Sequence, residues 1–377
     1  MAVASGCRRA LRAIVLVGVL LALAIAAVAL WGWQRYQGFQ SAPLPGLHTG
    51  QVVQVKQGDS FRAVLARLRA QGINAGTDLE WQLLARQLDA AGKLKVGEYA
   101  LDPGTTPRTL LQNMRAGRII QYRFTIVEGW NFRQLRAALD AATPLLHQTR
   151  QLDDAALMAA IGHAGQHPEG RFLPETYLYV RGDSDLDVLT RAYEAMARAL
   201  AAAWAERAAE LPLTTPDQAL ILASIVEKET GIAEERAQIA GVFIRRLRLG
   251  MKLQTDPTVI YGIGSAYDGN IRRRDLATDT PYNTYTRSGL TPTPIAMPGR
   301  DALQAALHPA PGDALYFVAL GDGSGRHVFS ATLAQHNAAV RQYLDRMRRP
   351  PLPEEQAALA PADAQAGPAP DARIGPR

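Results

Sequence analysis

The chain has 377 residues, 47% hydrophobic and 20% charged, a balance that fits a folded protein and excludes wholesale disorder. A single cysteine, Cys7, excludes an intrachain disulfide and a cysteine-cluster zinc site. The net charge of +6 comes from scattered arginines. The short runs at Arg272-Arg273-Arg274 and Arg348-Arg349 fall short of the concentrated basic face that nucleic acid requires, so no nucleic-acid partner is expected. No glycine-rich nucleotide fingerprint occurs, and no cofactor or metal is expected. The length allows about two to three domains.

Arg8, Arg9 and Arg12 precede an uncharged apolar run over residues 13–34, and Trp31, Trp33 and Tyr36 stand at its far end. About 20 apolar residues span the hydrocarbon of a bilayer. The run exceeds the apolar stretch of a cleaved signal peptide and ends in bulky tryptophans instead of small residues, so an uncleaved anchor is expected. The arginines place residues 1–12 in the cytoplasm and everything after the span outside. The exported part then holds no cysteine. Residues 35–49, rich in Gly and Pro, read as a linker.

A small α+β module follows at 50–122. Alternation predicts a strand from Val52 to Lys56. Ser60 caps a helix with Phe61, Val64, Leu65 and Leu68 at helical spacing. A second helix is expected over 78–90, a strand over 95–101 and a third helix over 106–116. Residues 123–349 read as a further domain, again mixed α and β. Its elements are a strand at 122–127, a helix at 131–141 and a long Ala-rich helix at 186–209. After it, Thr215 serves as N-cap and Pro216 as the first helical residue. The Ala/Pro-rich stretch 350–377 reads as a disordered tail.

The helix over 217–230, DQALILASIVEKET, is apolar almost all round and should be buried. It ends in Glu227 and Glu229. These lie two residues apart, so they cannot share a face. Glu229 continues the stripe Leu222, Ile225, Val226, and Glu227 continues Leu220, Ala223, Ser224. Glu229 therefore points inward from the bulkier wall. Gly231 is the expected helix stop. Burial and the carboxyl end of a helix both disfavour an anion, so the pKa of Glu229 should rise. An acid held protonated near neutral pH is what glycosidic cleavage requires. A solvated helix end is the plainer alternative.

Two further stretches carry polar chemistry. GVFIRRLRLGMKLQTDPTVIYG (241–262) passes from a helix through Gly250 into a turn holding Gln254, Thr255 and Asp256. TDTPYNTYTRSGLTPTPIAMPG (278–299) has no regular period, and long aperiodic loops tend to be functional. Its Tyr residues offer faces for sugar stacking, and its Asn and Thr offer amide and hydroxyl partners. ALYFVAL and RHVFS flank GDGSG as a hairpin. His327 on that hairpin is expected to be structural.

ILASIVEKET, FIxRLRxGMxLQTDPTVIYG, YNTYTxxGLxPxPIAxPG and ALYFVALGDGSGRHVFSATLAQHN stand in this order. Together they resemble the MltG (YceG-like) family of membrane-anchored endolytic murein transglycosylases, over residues 50–345. The resemblance implies a lyase of the cell inner membrane with its catalytic domain in the periplasm. It would cut nascent peptidoglycan strands between N-acetylmuramic acid and N-acetylglucosamine, leave a 1,6-anhydro-muramoyl end and terminate elongation beside peptidoglycan synthases. It also implies a LysM-like module at 50–122 and a lysozyme-like transglycosylase domain at 123–349. Glu229 would be the catalytic acid and then base, with Glu175, Gln254, Thr255, Asn283, Tyr285 and Thr286 near the sugars. Two alternatives are a muramidase-type hydrolase with Glu227, Asp256 or Asp279 as second carboxylate, and a non-catalytic membrane-anchored wall-binding scaffold.

Overall fold

The computed structural model describes residues 3–348. The tail expected at 350–377 lies outside the described residues. The chain divides into two compact units, one ending at Tyr122 and the other beginning at Arg123.

The first unit opens with helix α1 (Val3–Ser41). It is the one helix among the described residues long and apolar enough to cross a membrane. The side chains of Ile14, Leu20, Leu23 and Ile25 are all exposed, as a lipid-facing surface would be. The helix continues beyond the apolar run, so 35–41, expected as linker, is helical. The reason is packing: Phe39 meets Trp81 edge-on at 5.3 Å between ring centres, Arg35 pairs with Glu80 at 3.1 Å, and Tyr36 donates to Gln87 at 2.7 Å.

Strand β1 (Val52–Val55), helices α2 (Phe61–Ala70) and α3 (Asp78–Gln87), strand β2 (Gly97–Ala100) and helix α4 (Pro107–Ala116) complete this unit. β1 and β2 pair antiparallel, Val53 opposite Tyr99. Ser60 accepts from Ala63 N at the start of α2. Thr77 with Glu80 and Thr106 with Thr109 form capping boxes on α3 and α4. Each cap satisfies amides that a helix start leaves open. The core joins Val53, Val64, Leu68, Trp81, Leu84, Leu110 and Met114.

The second unit is also mixed α+β. Strand β3 (Tyr122–Thr125) pairs with β4 (Thr176–Tyr179). Between them in sequence lie α5 (Phe132–Ala141) and α6 (Asp154–Ala160), and after them α7 (Asp185–Ala205), α8 (Pro216–Glu229), α9 (Ala233–Arg248), α10 (Asp256–Ile263), α11 (Arg273–Ala277) and α12 (Arg300–Leu307). The hairpin β5 (Tyr316–Ala319) and β6 (His327–Ser330) pairs antiparallel, Phe317 opposite Phe329. Helix α13 (Leu333–Arg348) closes the described chain.

The core gathers around α8. Every residue from Ala219 to Val226 is buried, and α7, α9 and α12 pack against it. A helix apolar on all sides can only lie inside. Thr215 caps it by accepting from Gln218 N, with Pro216 at its first position. Its end differs from the expected glycine stop. Thr230, in an extended conformation, leaves the helix, and its Oγ1 accepts from Ile232 N at 2.9 Å. A β-branched residue suits that extended backbone, and its hydroxyl satisfies an amide of the following turn.

The LQTDP turn runs directly into α10, which holds VIYG and has Pro257 in its first turn. Residues 278–299 carry no helix or strand.

Candidate active site

Glu229 is the last helical residue of α8. The backbone dipole there disfavours a negative charge. Its carboxyl accepts a hydrogen bond from Thr255 Oγ1. Burial pushes its pKa up to about 7, against the opposing effect of the Thr255 bond, and the neighbouring Asp256 adds to the rise. Glu227 faces another way and accepts from Gly299 N at 2.9 Å, at the start of α12. Burial raises its pKa too.

Two loops converge on Glu229. Gln254 N donates to Thr284 O at 3.1 Å, and Thr255 N donates to Thr284 Oγ1 at 3.1 Å. Thr258 Oγ1 and Thr284 Oγ1 lie 2.9 Å apart. The LQTDP turn is thereby stitched to the Tyr/Asn/Thr loop. Gln254 adopts a φ of 50°, which costs a residue with a side chain about 1 kcal/mol or more. Gln254 lines a cavity of about 490 Å³.

Glu229, Gln254, Thr255, Asp256, Tyr285 and Arg246 line this cavity together with Tyr316, Phe317 and His336. Tyr285 donates its hydroxyl to Asp256 Oδ1 at 2.6 Å. Tyr316 stacks on His336 with ring centres 5.2 Å apart, and burial lowers the His336 pKa. The arrangement offers an acid with a raised pKa, aromatic faces and polar edges, the elements a sugar polymer needs.

Of the residues expected near a sugar, the structure brings Gln254, Thr255 and Tyr285 together with Glu229. The other three are engaged elsewhere. Asn283 is buried and donates through Nδ2 to the carbonyls of Asp275, Leu276 and Thr278, the last at 2.7 Å. Thr286 donates to Asp279 at 2.7 Å. Glu175 lies beside β4 with its side chain about half exposed, 4.0 Å from Arg300. These residues shape the loop and the surface instead of lining the cavity. His327 donates through Nδ1 to Glu235 Oε2 at 2.8 Å, and its backbone amide donates to Oε1 at 3.1 Å. That bidentate tie fits a structural role.

Arg246, Tyr316 and His336 were not singled out in the sequence. A basic FIRRLR run and a strand-turn-helix at the carboxyl end gave no chemical signal of their own. Glu169 was missed as well. It lies in a larger cavity of about 650 Å³, and burial pushes its pKa up to about 7. Its oxygens accept from Phe132 N at 3.0 and 3.1 Å and from Tyr261 at 3.0 Å. Glu169 thus closes the amino end of α5, whereas Glu229 has a single hydroxyl partner.

The fold and this cavity define a protein with one N-terminal apolar helix and a carboxyl-bearing cleft. The YceG-like family matches residues 53–342, and the chain belongs to that family. An endolytic murein transglycosylase of Bacillus subtilis (strain 168) is 29% identical over 309 residues, covering 78% of this chain and 84% of that protein. One of the same name from Streptococcus pneumoniae serotype 2 (strain D39 / NCTC 7466) is 34% identical over 135 residues, 35% of this chain and 24% of that longer protein. The crystal structure of a yceG-like protein of Listeria monocytogenes superposes with a TM-score of 0.50 at 28% identity, covering 76% of this chain and 98% of the other.

Proposed function

We propose that this chain is an endolytic lytic transglycosylase of peptidoglycan. The observation that carries the reading is Glu229, a desolvated carboxyl with its pKa raised to about 7 in a cavity of aromatic and hydroxyl side chains. The names of the relatives point the same way.

In this mechanism Glu229 begins protonated and gives its proton to the glycosidic oxygen between N-acetylmuramic acid and N-acetylglucosamine. The substrate's own N-acetyl group supports the cation that develops. The resulting carboxylate, held by Thr255 Oγ1, then takes the proton of the sugar's 6-hydroxyl, and the ring closes to the 1,6-anhydro product. No water enters the balance, so a dry site serves the reaction. Gln254 and Tyr285 stand where they can contact the sugars.

The helix α1 anchors the protein in the cell inner membrane with its amino end in the cytoplasm. The catalytic unit then works in the periplasm, where it ends strand growth beside peptidoglycan synthases. The β1-α2-α3-β2 arrangement supports a LysM-like wall-binding module, and the Glu-bearing helix buried at the core supports a lysozyme-like catalytic domain.

Asp256, in the same cavity, supports a second reading, a two-carboxylate hydrolase. Asp279 is bound to Arg287 at 2.9 Å and Glu227 to Gly299 N at 2.9 Å, so neither competes for that part. Incubating the protein with uncrosslinked glycan and weighing the products separates the two. Anhydro ends support the transglycosylase. Reducing ends, about 18 mass units heavier, support the hydrolase. Intact strands sink both and leave only a scaffold; full activity in Glu229→Gln sinks Glu229 as the acid.

A further inference from the structure

Among the described residues Arg246 is a buried cation that forms no ion pair. It lies on α9, lines the same cavity as Glu229, and is only 7% exposed. Its Nε donates to Leu315 O at 2.6 Å, and its Nη1 donates to Leu253 O at 2.7 Å and Lys252 O at 3.2 Å. Its guanidinium carbon stands 5.2 Å from the centre of the Tyr316 ring. These contacts fix the plane of the guanidinium. Nη2 has no acceptor among the described residues, and no ion pair to Arg246 forms among them.

Burying a charge that lacks an ionic partner is unfavourable, and arginine does not escape by losing its proton. The neighbours do not supply the missing anion. Burial holds the proton on Glu229 up to about pH 7, and its hydrogen bond is to Thr255 Oγ1 and not to Arg246. Asp256 is engaged by the Tyr285 hydroxyl. His336, stacked on Tyr316, brings no negative charge: burial and Arg246 both lower its pKa. A bare cation also opposes the positive charge that develops on the sugar during cleavage. Both difficulties vanish if the bound strand itself brings a negative charge.

Murein differs from other N-acetyl-sugar polymers in one such feature. Alternate sugars carry a lactyl ether that either ends in a carboxylate or continues into a stem peptide bearing carboxylates. The remainder of the glycan is neutral. We propose that Nη2 of Arg246 binds a carboxylate on the lactyl branch of the strand. This rests on the function proposed above and makes Arg246 the residue that selects murein over uncharged glycans. The fork geometry of a guanidinium suits a carboxylate, and fixing three of its hydrogens beforehand lowers the cost of ordering it.

The test is calorimetric binding of soluble, uncrosslinked strands to the full chain carrying Glu229→Gln, in detergent micelles at low salt. Three strand preparations are compared: with stem peptides, stripped to the lactyl carboxylate, and with every carboxylate converted to its methylamide. The charged strands should bind about tenfold tighter than the methylamide, the worth of a charge-assisted hydrogen bond. Tight binding of stripped strands assigns the lactyl carboxylate; tight binding of peptide-bearing strands alone assigns the stem peptide. Adding Arg246→Gln should abolish the discrimination. Equal binding of charged and methylamide strands to the protein that keeps Arg246, or no binding at all, overturns the proposal, and this comparison needs no Arg246 variant to fold. Discrimination that survives Arg246→Gln overturns it as well. Loss of the transglycosylase reading has a separate signature: wild type leaves strands uncut while the carboxylate preference persists.

Discussion

Replacing Glu229 by Gln should make the protein more stable at neutral and alkaline pH, even as it removes activity. The unfolded carboxyl titrates near 4.5, whereas the folded one titrates at about 7 because burial penalises its charge. Between those values the folded chain holds a proton that the unfolded chain has lost. Stability from this group is therefore fully present below about 4.5 and is lost as pH rises through about 7. Each pH unit is worth about 1.4 kcal/mol, so the carboxylate costs up to about 3 kcal/mol above pH 7. Glutamine keeps the shape and the acceptor for Thr255 but never ionises. Glu169 and Glu227 are also raised by burial, but they titrate alike in both proteins and drop out of the difference. Calorimetric melting of the full chain in detergent, from pH 4.5 to 9, reads the result. The two proteins should melt together at the acid end. At pH 8 the variant should melt about 5–10 °C higher, since about 1 kcal/mol moves a unit of this size by about 2–4 °C. A melting difference that stays flat with pH would refute a desolvated acid at position 229. Strand cleavage by the same variant should fall by about 10²–10⁴-fold, the usual worth of a general acid.

Further outcomes follow from particular contacts. Thr255→Val removes the hydrogen bond that favours the ionised Glu229, so the alkaline limb of the rate–pH profile should move to higher pH; an unmoved limb contradicts the assignment. Asn283→Ala strips three carbonyl partners within 275–278 and should open 278–299 to proteolysis, read by the rate of nicking, with about 1–3 kcal/mol lost. Asp185 is fully buried and accepts from the amides of Gln148, Thr149 and Leu186 and from the Thr149 hydroxyl. Asp185→Ala should lower the melting temperature by several degrees without moving the pH profile of cleavage. Gly170 holds a φ of 78° with Pro294 in the way of any Cβ, so Gly170→Ala should destabilise the unit by about 1–2 kcal/mol, measured as a shift in denaturant midpoint.

Much of this architecture was legible in the order of residues. A helix apolar on every side has only one place to go, and DQALILASIVEKET lies at the core as its composition required. Thr215 and Pro216 marked its start because a cap and a preset φ act within a few residues of each other. The hairpin β5–β6, the caps at Ser60 and the apolar length of α1 are local in the same sense. Their physics is decided by neighbours along the chain.

Other features were settled only by distant parts of the chain meeting. Helical phase could show that Glu229 continues the bulky stripe, but not that Thr255, twenty-six positions on, would reach its carboxyl. Asn283 and Tyr285 looked alike as polar loop residues; the fold turned one inward to hold carbonyls and the other toward Asp256. Arg246 read as one basic residue among several on α9, and only the carbonyls of Leu253 and Leu315 made it a fixed, buried cation. Local pattern decides which face of an element is greasy. Which polar group ends desolvated, paired or left open depends on what tertiary packing brings against it, because desolvation and hydrogen bonding act through space and not along the sequence.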